Sequence, residues 1–411
     1  MQLRPILSSL RHHKLTALLL MLQVAFTCAI VCNVIFMIVN RVDQVSLLTG
    51  LAEDELSVIH STGIEKGGNP QALHAADLAA LRAIPGVKSV VAASYSLPLD
   101  QSEWSTGVCP SKQALDRAMQ VDSLDGLGCV EPSVYDGSPG MIATLGLHLV
   151  EGRDFLPDEY VATGTPPSVI VTRALAQHLY PGQQALGQSI YSGRGKPLRI
   201  VGILDTLLRP SLHKPGVNYD SMLYPLWPSE ISAIYIMRSA QQDRQQVLKA
   251  AASALTATNA NRIVEPAGME TYAQIRAKYF QRDITMIGLL LAAALGLLFV
   301  TALGIAGLAN FWVQQRRRQI GIRRAIGATR GDILHYFQTE NFLIVTLGIV
   351  LGMLLAYGLN LLLMTHYELP RLPLYYLPIG ALALWLLGQL AVLGPALRAA
   401  AVPPVVATRS V

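Results

Sequence analysis

Four long apolar runs, one near the start and three near the end, constrain this chain more than any other feature. The first extends from Ala17 to Val39. The others extend from Ile284 to Val313, from Phe342 to Met364 and from Leu374 to Leu397. At ~1.5 Å per helical residue each is long enough to cross a hydrocarbon core ~30 Å thick. Between the first and second lies a polar stretch, Arg41 to Asp283, large enough for one or two packed subdomains. Composition agrees. Of 411 residues, 52% are hydrophobic and 14% charged, against about 25% charged in a soluble domain. That excludes an ordinary soluble enzyme. The 23 prolines and 33 glycines equally exclude a chain made of spans throughout.

The placement of charge orients the spans. Arg4, Arg11, His12, His13 and Lys14 precede the first run without an acidic neighbour. A cleaved signal peptide would have a shorter apolar core and a small-residue cleavage site. Val39-Asn40-Arg41-Val42 offers none, so an uncleaved anchor with a cytoplasmic N-terminus is expected. Arg316, Arg317, Arg318, Arg323, Arg324 and Arg330 follow the second run, against Asp332 and Glu340. The connector Thr365 to Pro373 is short, and the tail carries Arg398 and Arg409 without an acid. The positive-inside rule then puts both ends and the arginine-rich loop in the cytoplasm, and the polar stretch outside. This placement accounts for the net charge of +5, 32 Lys+Arg against 27 Asp+Glu, without nucleic acid as a partner.

The expected organisation is a cytoplasmic N-terminal amphipathic segment (1–16), a first span (17–40) and an extracytoplasmic domain (41–268). A stalk with the second span (269–313), a cytoplasmic loop (314–341), the third span (342–364), the fourth (374–397) and a cytoplasmic tail (398–411) follow. Within the polar stretch, Leu73 to Ile84, Met141 to Leu145, Arg173 to Leu179 and Asp243 to Ala257 read as helices. Val87 to Ser94, Ser168 to Thr172, Leu198 to Leu204, Ser221 to Leu226 and Ile231 to Met237 read as strands. Alternating elements favour an α+β domain. Met269 to Asp283 contains no proline or glycine and leads straight into the second run. One unbroken helix, Met269 to Val313, is expected there, ~68 Å long at ~1.5 Å per residue.

Catalytic patterns are missing from the sequence. Gly193-Arg194-Gly195-Lys196-Pro197 fails as a P-loop, so the chain does not hydrolyse ATP by that mechanism alone. Gly137-Ser138-Pro139-Gly140 lacks nucleophile-elbow spacing. His60, His74, His148, His178 and His213 are scattered, and no C-x-x-C pair exists, so no metal is expected. The spans hold few ionisable groups, and Gln23, Asn33 and Gln389 are polar but uncharged, which argues against an ion-coupled carrier. Cys28 and Cys32 read as packing residues in lipid. Cys109 and Cys129 lie in the external stretch, where an oxidising compartment favours a disulfide over two independent thiols. Gly304, Gly307 and the G-x-x-x-G pair Gly348 and Gly352 are candidates for a dimer seam, although glycine is common in spans generally.

The most informative stretch is Arg316 to Asp332, RRRQIGIRRAIGATRGD. Ile320, Ile322, Ile326, Ile333 and Leu334 read as an apolar stripe beside arginines, which on charge alone suits an interfacial helix on anionic lipid. The pattern is more specific than its charge. Ile320, Gly321, Ile322, Arg323, Arg324, Ala325, Ile326, Gly327, Ala328, Asp332, Ile333 and Glu340 resemble the loop after the second span in the FtsX/MacB family of ABC-transporter permeases, with Gln319 where the family usually has Glu. Tyr135-Asp136-Gly137-Ser138-Pro139-Gly140-Met141, Leu145-Gly146-Leu147 and Glu151-Gly152-Arg153-Asp154-Phe155 resemble the MacB-type periplasmic core, with Gly140-Met141 in place of its aromatic pair. Pro181-Gly182, Leu186-Gly187, Ile200-Val201-Gly202-Ile203 and Pro395 to Ala400 with Pro403-Pro404 continue the series, and Leu10 to Leu15 resembles its opening.

The resemblance implies a bacterial inner-membrane permease whose external domain has a porter-like part and a Sabre-like insert over about 96–220. It implies no cofactor in this chain, with ATP and Mg held by a separate cytoplasmic ABC ATPase. Residues Gln319 to Ala325, with Gly327, Ala328 and Asp332, would form the coupling element. A second permease, identical or sister, would complete the pair, and a periplasmic adaptor with an outer-membrane channel is a further possible partner, besides membrane lipid. The implied function is mechanotransmission that exports or expels a periplasmic substrate. The alternatives are an FtsX-like regulator of a periplasmic hydrolase, a lipoprotein-release permease and, from another class, a membrane-anchored enzyme, which no catalytic constellation supports.

Overall fold

The computed structural model describes residues 14–64, 69–94, 96–100, 102–193, 195–212, 216–367 and 371–402. Arg4, Arg11, His12, His13, Arg194, His213, Glu368, Pro403-Pro404 and Arg409 lie outside them. The chain divides into two compact units, residues 47–281 and the remainder. The chain enters through helix α1 (Lys14–Val45).

The polar unit contains two sheets. The first holds β1 (Leu56–Gly63), β2 (Val87–Ala93), β10 (Ala233–Ser239), β11 (Arg262–Ile263) and β12 (Met269–Thr271). The second holds β3 (Val108–Cys109), β4 (Ser133–Asp136), β5 (Leu149–Gly152), β6 (Ser168–Thr172), β7 (Ser189–Ser192), β8 (Pro197–Leu204) and β9 (Ser221–Tyr224). Its helices are α2 (Pro70–Arg82), α3 (Lys112–Val121), α4 (Met141–Leu145), α5 (Arg173–Leu179), α6 (Arg244–Thr258) and α7 (Tyr272–Tyr279).

Strand order in the first sheet is β11-β1-β10-β2, with β12 also on β1, and every pair is antiparallel. The second runs β3-β7-β8-β6-β9-β4 with β5 on β8, and pairs β4 with β9 and β6 with β8 in parallel. All strands of the second sheet lie between β2 and β10 in the chain, so it is an insertion in the first. The insertion's last strand is Ser221–Tyr224.

The period of two fixes both faces. Ile59, Val90, Ala92, Tyr235 and Met237 meet Leu78 and Leu81 of α2 and Val247, Leu248, Ala251 and Leu255 of α6. Val58, Val91, Ala93, Ile234 and Ile236 point the other way and pack with Ile170, Leu204 and Leu223 of the second sheet. The second sheet's remaining face packs on Leu175, Ala176 and Leu179 of α5. Burying one such aliphatic side chain contributes about 1.5–3 kcal/mol.

Among the described residues four helices are of membrane length, α1, α8 (Gln281–Gln315), α10 (Arg330–Tyr367) and α11 (Tyr376–Ala400), with the short α9 (Arg317–Ala325) between the second and third. One expectation is corrected. The unbroken helix from Met269 to Val313 does not exist. Met269–Thr271 is a strand paired with Ser57, Val58 and Ile59. Thr271 then starts α7 with a capping box to Gln274. That helix ends at Phe280, φ −90° and ψ 4°, before α8 begins. Within the expected loop of 314–341, residues 330–341 form the first turns of α10.

Glycines in this unit record close helix contacts. A Cβ on Gly352 would lie 2.5 Å from Cys28 Cβ and 2.6 Å from the Ala25 carbonyl oxygen. One on Gly348 would lie 2.9 Å from the Met21 carbonyl oxygen. The G-x-x-x-G face of α10 is therefore filled by α1 of the same chain, which corrects its reading as a dimer seam. A Cβ on Gly304 would lie 2.7 Å from the Gln23 amide, while Gly307 has open space beside it. Buried polar groups pair between helices. Thr27 and Thr301 hydroxyls lie 2.8 Å apart, Asn33 Nδ2 donates to Ala356 at 3.1 Å, and Asn341 Nδ2 donates to Gly388 at 3.0 Å.

Candidate functional site: the arginine-rich loop

The sequence folds into two helices with adjoining caps. Gly327 takes φ +108°, a left-handed conformation open to glycine at little cost. Ala328 N–H donates to the Arg323 carbonyl at 3.0 Å, and Gly327 N–H to that of Arg324 at 3.2 Å. These two bonds make a Schellman motif that closes α9. One residue later Thr329 opens α10. Its hydroxyl accepts from Asp332 N–H at 3.2 Å, and its own N–H donates to Asp332 Oδ2 at 2.9 Å. Gly327, Ala328 and Asp332 therefore make the turn itself.

Three arginines tie the loop to the spans. Arg316 Nη1 donates to Glu340 Oε2 at 2.8 Å, and both side chains are nearly buried. A carboxylate removed from water needs such a partner. Arg324 Nη1 donates to the carbonyls of Ala400 and Val402 at 2.9 and 3.0 Å, placing a cation on the C-terminal end of α11. The Arg323 guanidinium lies 4.9 Å from the centre of the Tyr336 ring. Ile320 and Ile333 are buried in the helical core, and Gly321 is buried beside them.

The expected apolar stripe is thus split. Ile320 and Ile333 face inward, whereas Ile322 is 44% and Ile326 82% exposed. Gln319, Ala325, Arg317 and Arg318 are exposed as well. The outward surface is two isoleucines amid basic side chains, suited to docking on a complementary partner rather than to chemistry. Sequence reasoning passed over Glu340 and Tyr336 as anchors. Glu340, an acid just before the third apolar run and after six arginines, is the available signal.

Cys109 and Cys129 form a disulfide in the polar unit, enclosing α3. His74, Asp77, Tyr235 and Arg262 form a buried network there. Arg262 grips the Asp77 carboxylate at 2.8 and 2.9 Å, and Tyr235 donates to the same group. His74 ring nitrogens lie 2.9 Å from the Tyr235 hydroxyl and 2.7 Å from the Glu230 carbonyl. Burial pushes the His74 pKa down. This network holds α2 and β11 onto the first sheet. Among the described residues no group of three or more His, Cys, Asp or Glu could hold a metal ion.

Two family models match. Residues 15–254 match the MacB-like periplasmic core domain, and residues 291–404 match the FtsX-like permease C-terminal region. The chain is 24% identical to the ABC transporter permease YvrN of Bacillus subtilis (strain 168), over 98% of this chain and 97% of that one. It is 26% identical to the macrolide export ATP-binding/permease protein MacB 1/2 of Paracoccus denitrificans (strain Pd 1222), over 87% of this chain and 51% of that one. The crystal structure of the extracellular domain of the transporter YknZ from Gram-positive bacteria aligns with 51% of this chain and 99% of its own, at 15% identity and a TM-score of 0.33.

Proposed function

The chain belongs to the ABC transporter permeases of the MacB and FtsX type, and from that premise we propose that it converts the ATP cycle of a separate cytoplasmic ATPase into movement of its extracytoplasmic domain. The observation that carries this reading is the exposed surface of α9, Ile322 and Ile326 among arginines, on a loop anchored to two of the spans, α10 through Arg316 and Glu340 and α11 through Arg324 and Ala400. A partner that shifts α9 would pull on α10 through Glu340 and on α11 through its last carbonyls. Force is carried without a substrate path through the bilayer.

On this reading the chain is a non-catalytic subunit in a bacterial inner membrane. ATP and Mg are bound by the ATPase alone. Two permease chains, identical or sister, work as a pair, and the product of the work is export or expulsion of a substrate outside the cytoplasm. A periplasmic adaptor and outer-membrane channel would complete an efflux path.

The test is ATPase stimulation in a reconstituted complex with the ATP-binding protein that co-purifies after crosslinking. Ile326→Glu places a charge on a side chain with no role in the loop's own packing. It should abolish most of the stimulation while membrane insertion and helical content stay unchanged. Undiminished stimulation, or crosslinked material without an ATPase, would overturn the reading.

A further inference from the structure

The polar unit contains a bowl of about 360 Å³ that the force-transmitting reading does not use. It falls in the ~300–1,000 Å³ range of small-molecule sites. Its wall comes from the ends of β7 and β9, the segment before β3 and the loop before β6. We propose that this bowl binds a neutral saccharide, with Trp104 as the stacking platform and threonine and serine hydroxyls as its polar rim.

Trp104 lines the bowl and is 39% exposed, unusual for so large an aromatic side chain. Tyr224, which is almost buried, meets it edge to face with ring centres 6.0 Å apart and planes at 76°. The buried ring buttresses the exposed one, so the indole is held in place before any ligand arrives. Around it stand the hydroxyls of Thr106, Thr163, Thr165 and Ser192. Among the described residues, none that lines the bowl is an acid, a lysine, an arginine or a histidine.

That combination selects ligand chemistry. Among the described lining residues an ion would find no opposite charge to offset its desolvation. A purely apolar ligand would cut the hydroxyls off from water without replacing their hydrogen bonds, at a cost for each. A sugar ring satisfies both kinds of surface. One face presents C–H groups, slightly positive, that suit the negative face of an indole. Its edge presents hydroxyls, and each Ser or Thr hydroxyl can donate to or accept from them.

The site is tested on the full-length chain alone, in nanodiscs free of sugar-headed detergent and without nucleotide. Its outcome is thereby independent of ATPase coupling. Calorimetric titration uses cellotriose, maltotriose and N,N′-diacetylchitobiose as probes, with glucosamine and glucuronic acid as charged comparisons. At least one neutral probe should bind. Trp104→Ala should weaken it at least about tenfold, and Trp104→Phe should restore much of the loss. An unchanged melting temperature for Trp104→Ala separates loss of the platform from loss of the fold. If no neutral probe binds at about 10 mM, if a charged one binds better, or if Trp104→Ala leaves affinity unaltered, the proposal is wrong.

Discussion

Arg324 donates to the Ala400 carbonyl at 2.9 Å, joining the arginine-rich loop to the end of the last membrane helix. The same guanidinium reaches the Val402 carbonyl just past the helix, so one side chain satisfies a helix-end carbonyl and one in the segment that follows. Arg324→Ala should lower the stability of the helical unit by about 1–3 kcal/mol, the worth of charge-assisted bonds at a helix end. Hydrogen exchange of the amides around residue 400 should rise with it. Unchanged exchange there would show that the bonds contribute nothing.

Close packing of α1 on α10 gives a second expectation. Gly352→Leu forces a side chain into the Ala25 carbonyl and Cys28, at distances no Cβ tolerates. Overpacking of this kind costs about 1–3 kcal/mol or more, visible as a lower melting temperature in detergent. Gly307→Ala, on an open face, should be neutral or slightly stabilising through helix propensity. Equal effects from the two would contradict the intramolecular seam.

The disulfide offers a third. Reduction, or Cys129→Ser, should destabilise the polar unit by roughly 3 kcal/mol for a loop of this length. The readout is the thermal transition of the unit with and without reductant. A transition indifferent to reductant would show that the bond between Cys109 and Cys129 contributes no stability.

Protonation supplies a fourth. His74 is buried and its folded pKa is depressed, so the folded unit holds it neutral where an unfolded chain, with a histidine pKa of about 6.5, takes up a proton. In that window the unfolded state binds more protons, and stability rises with pH. Lowering the pH from about 7 through 6.5 should therefore weaken the polar unit until the folded pKa is passed. His74→Gln should flatten that dependence in pH-resolved denaturation, and an equally steep profile in the variant would exclude His74 as its source.

The buried Asp77–Arg262 pair supplies a fifth. Removing either charge leaves the other uncompensated, so Asp77→Ala should cost about 3–5 kcal/mol. The double replacement by apolar residues should cost less than the single one. A double mutant no better than the single would argue against the ion pair as the source.

Much of this was legible in the sequence because its signals are periodic and local. The strand Ser168–Thr172 and the helix Arg173–Leu179 coincide with the sequence reading to the residue. What was missed depends on partners distant in the chain. Helix α3 and strand β1 carry weaker patterns and are fixed by a disulfide and by pairing to β10 and β12. Thr271 and Gln274 spell a capping box, but the absence of Gly and Pro from Met269 to Asp283 reads as continuity, and the strand before them is defined by Ser57 to Ile59. In the loop, sequence alone located the motif. It could not separate Gly327 and Asp332, which build the turn, from Ile322 and Ile326, which face outward.

The account rests on the loop and the polar unit working on opposite faces of a membrane. Single cysteines replacing Ile326 and Thr163, both exposed, probe that directly. A membrane-impermeant maleimide should label the Thr163→Cys variant from outside spheroplasts and the Ile326→Cys variant only in inverted vesicles. The reverse pattern, or labelling of both from one face, would contradict the account.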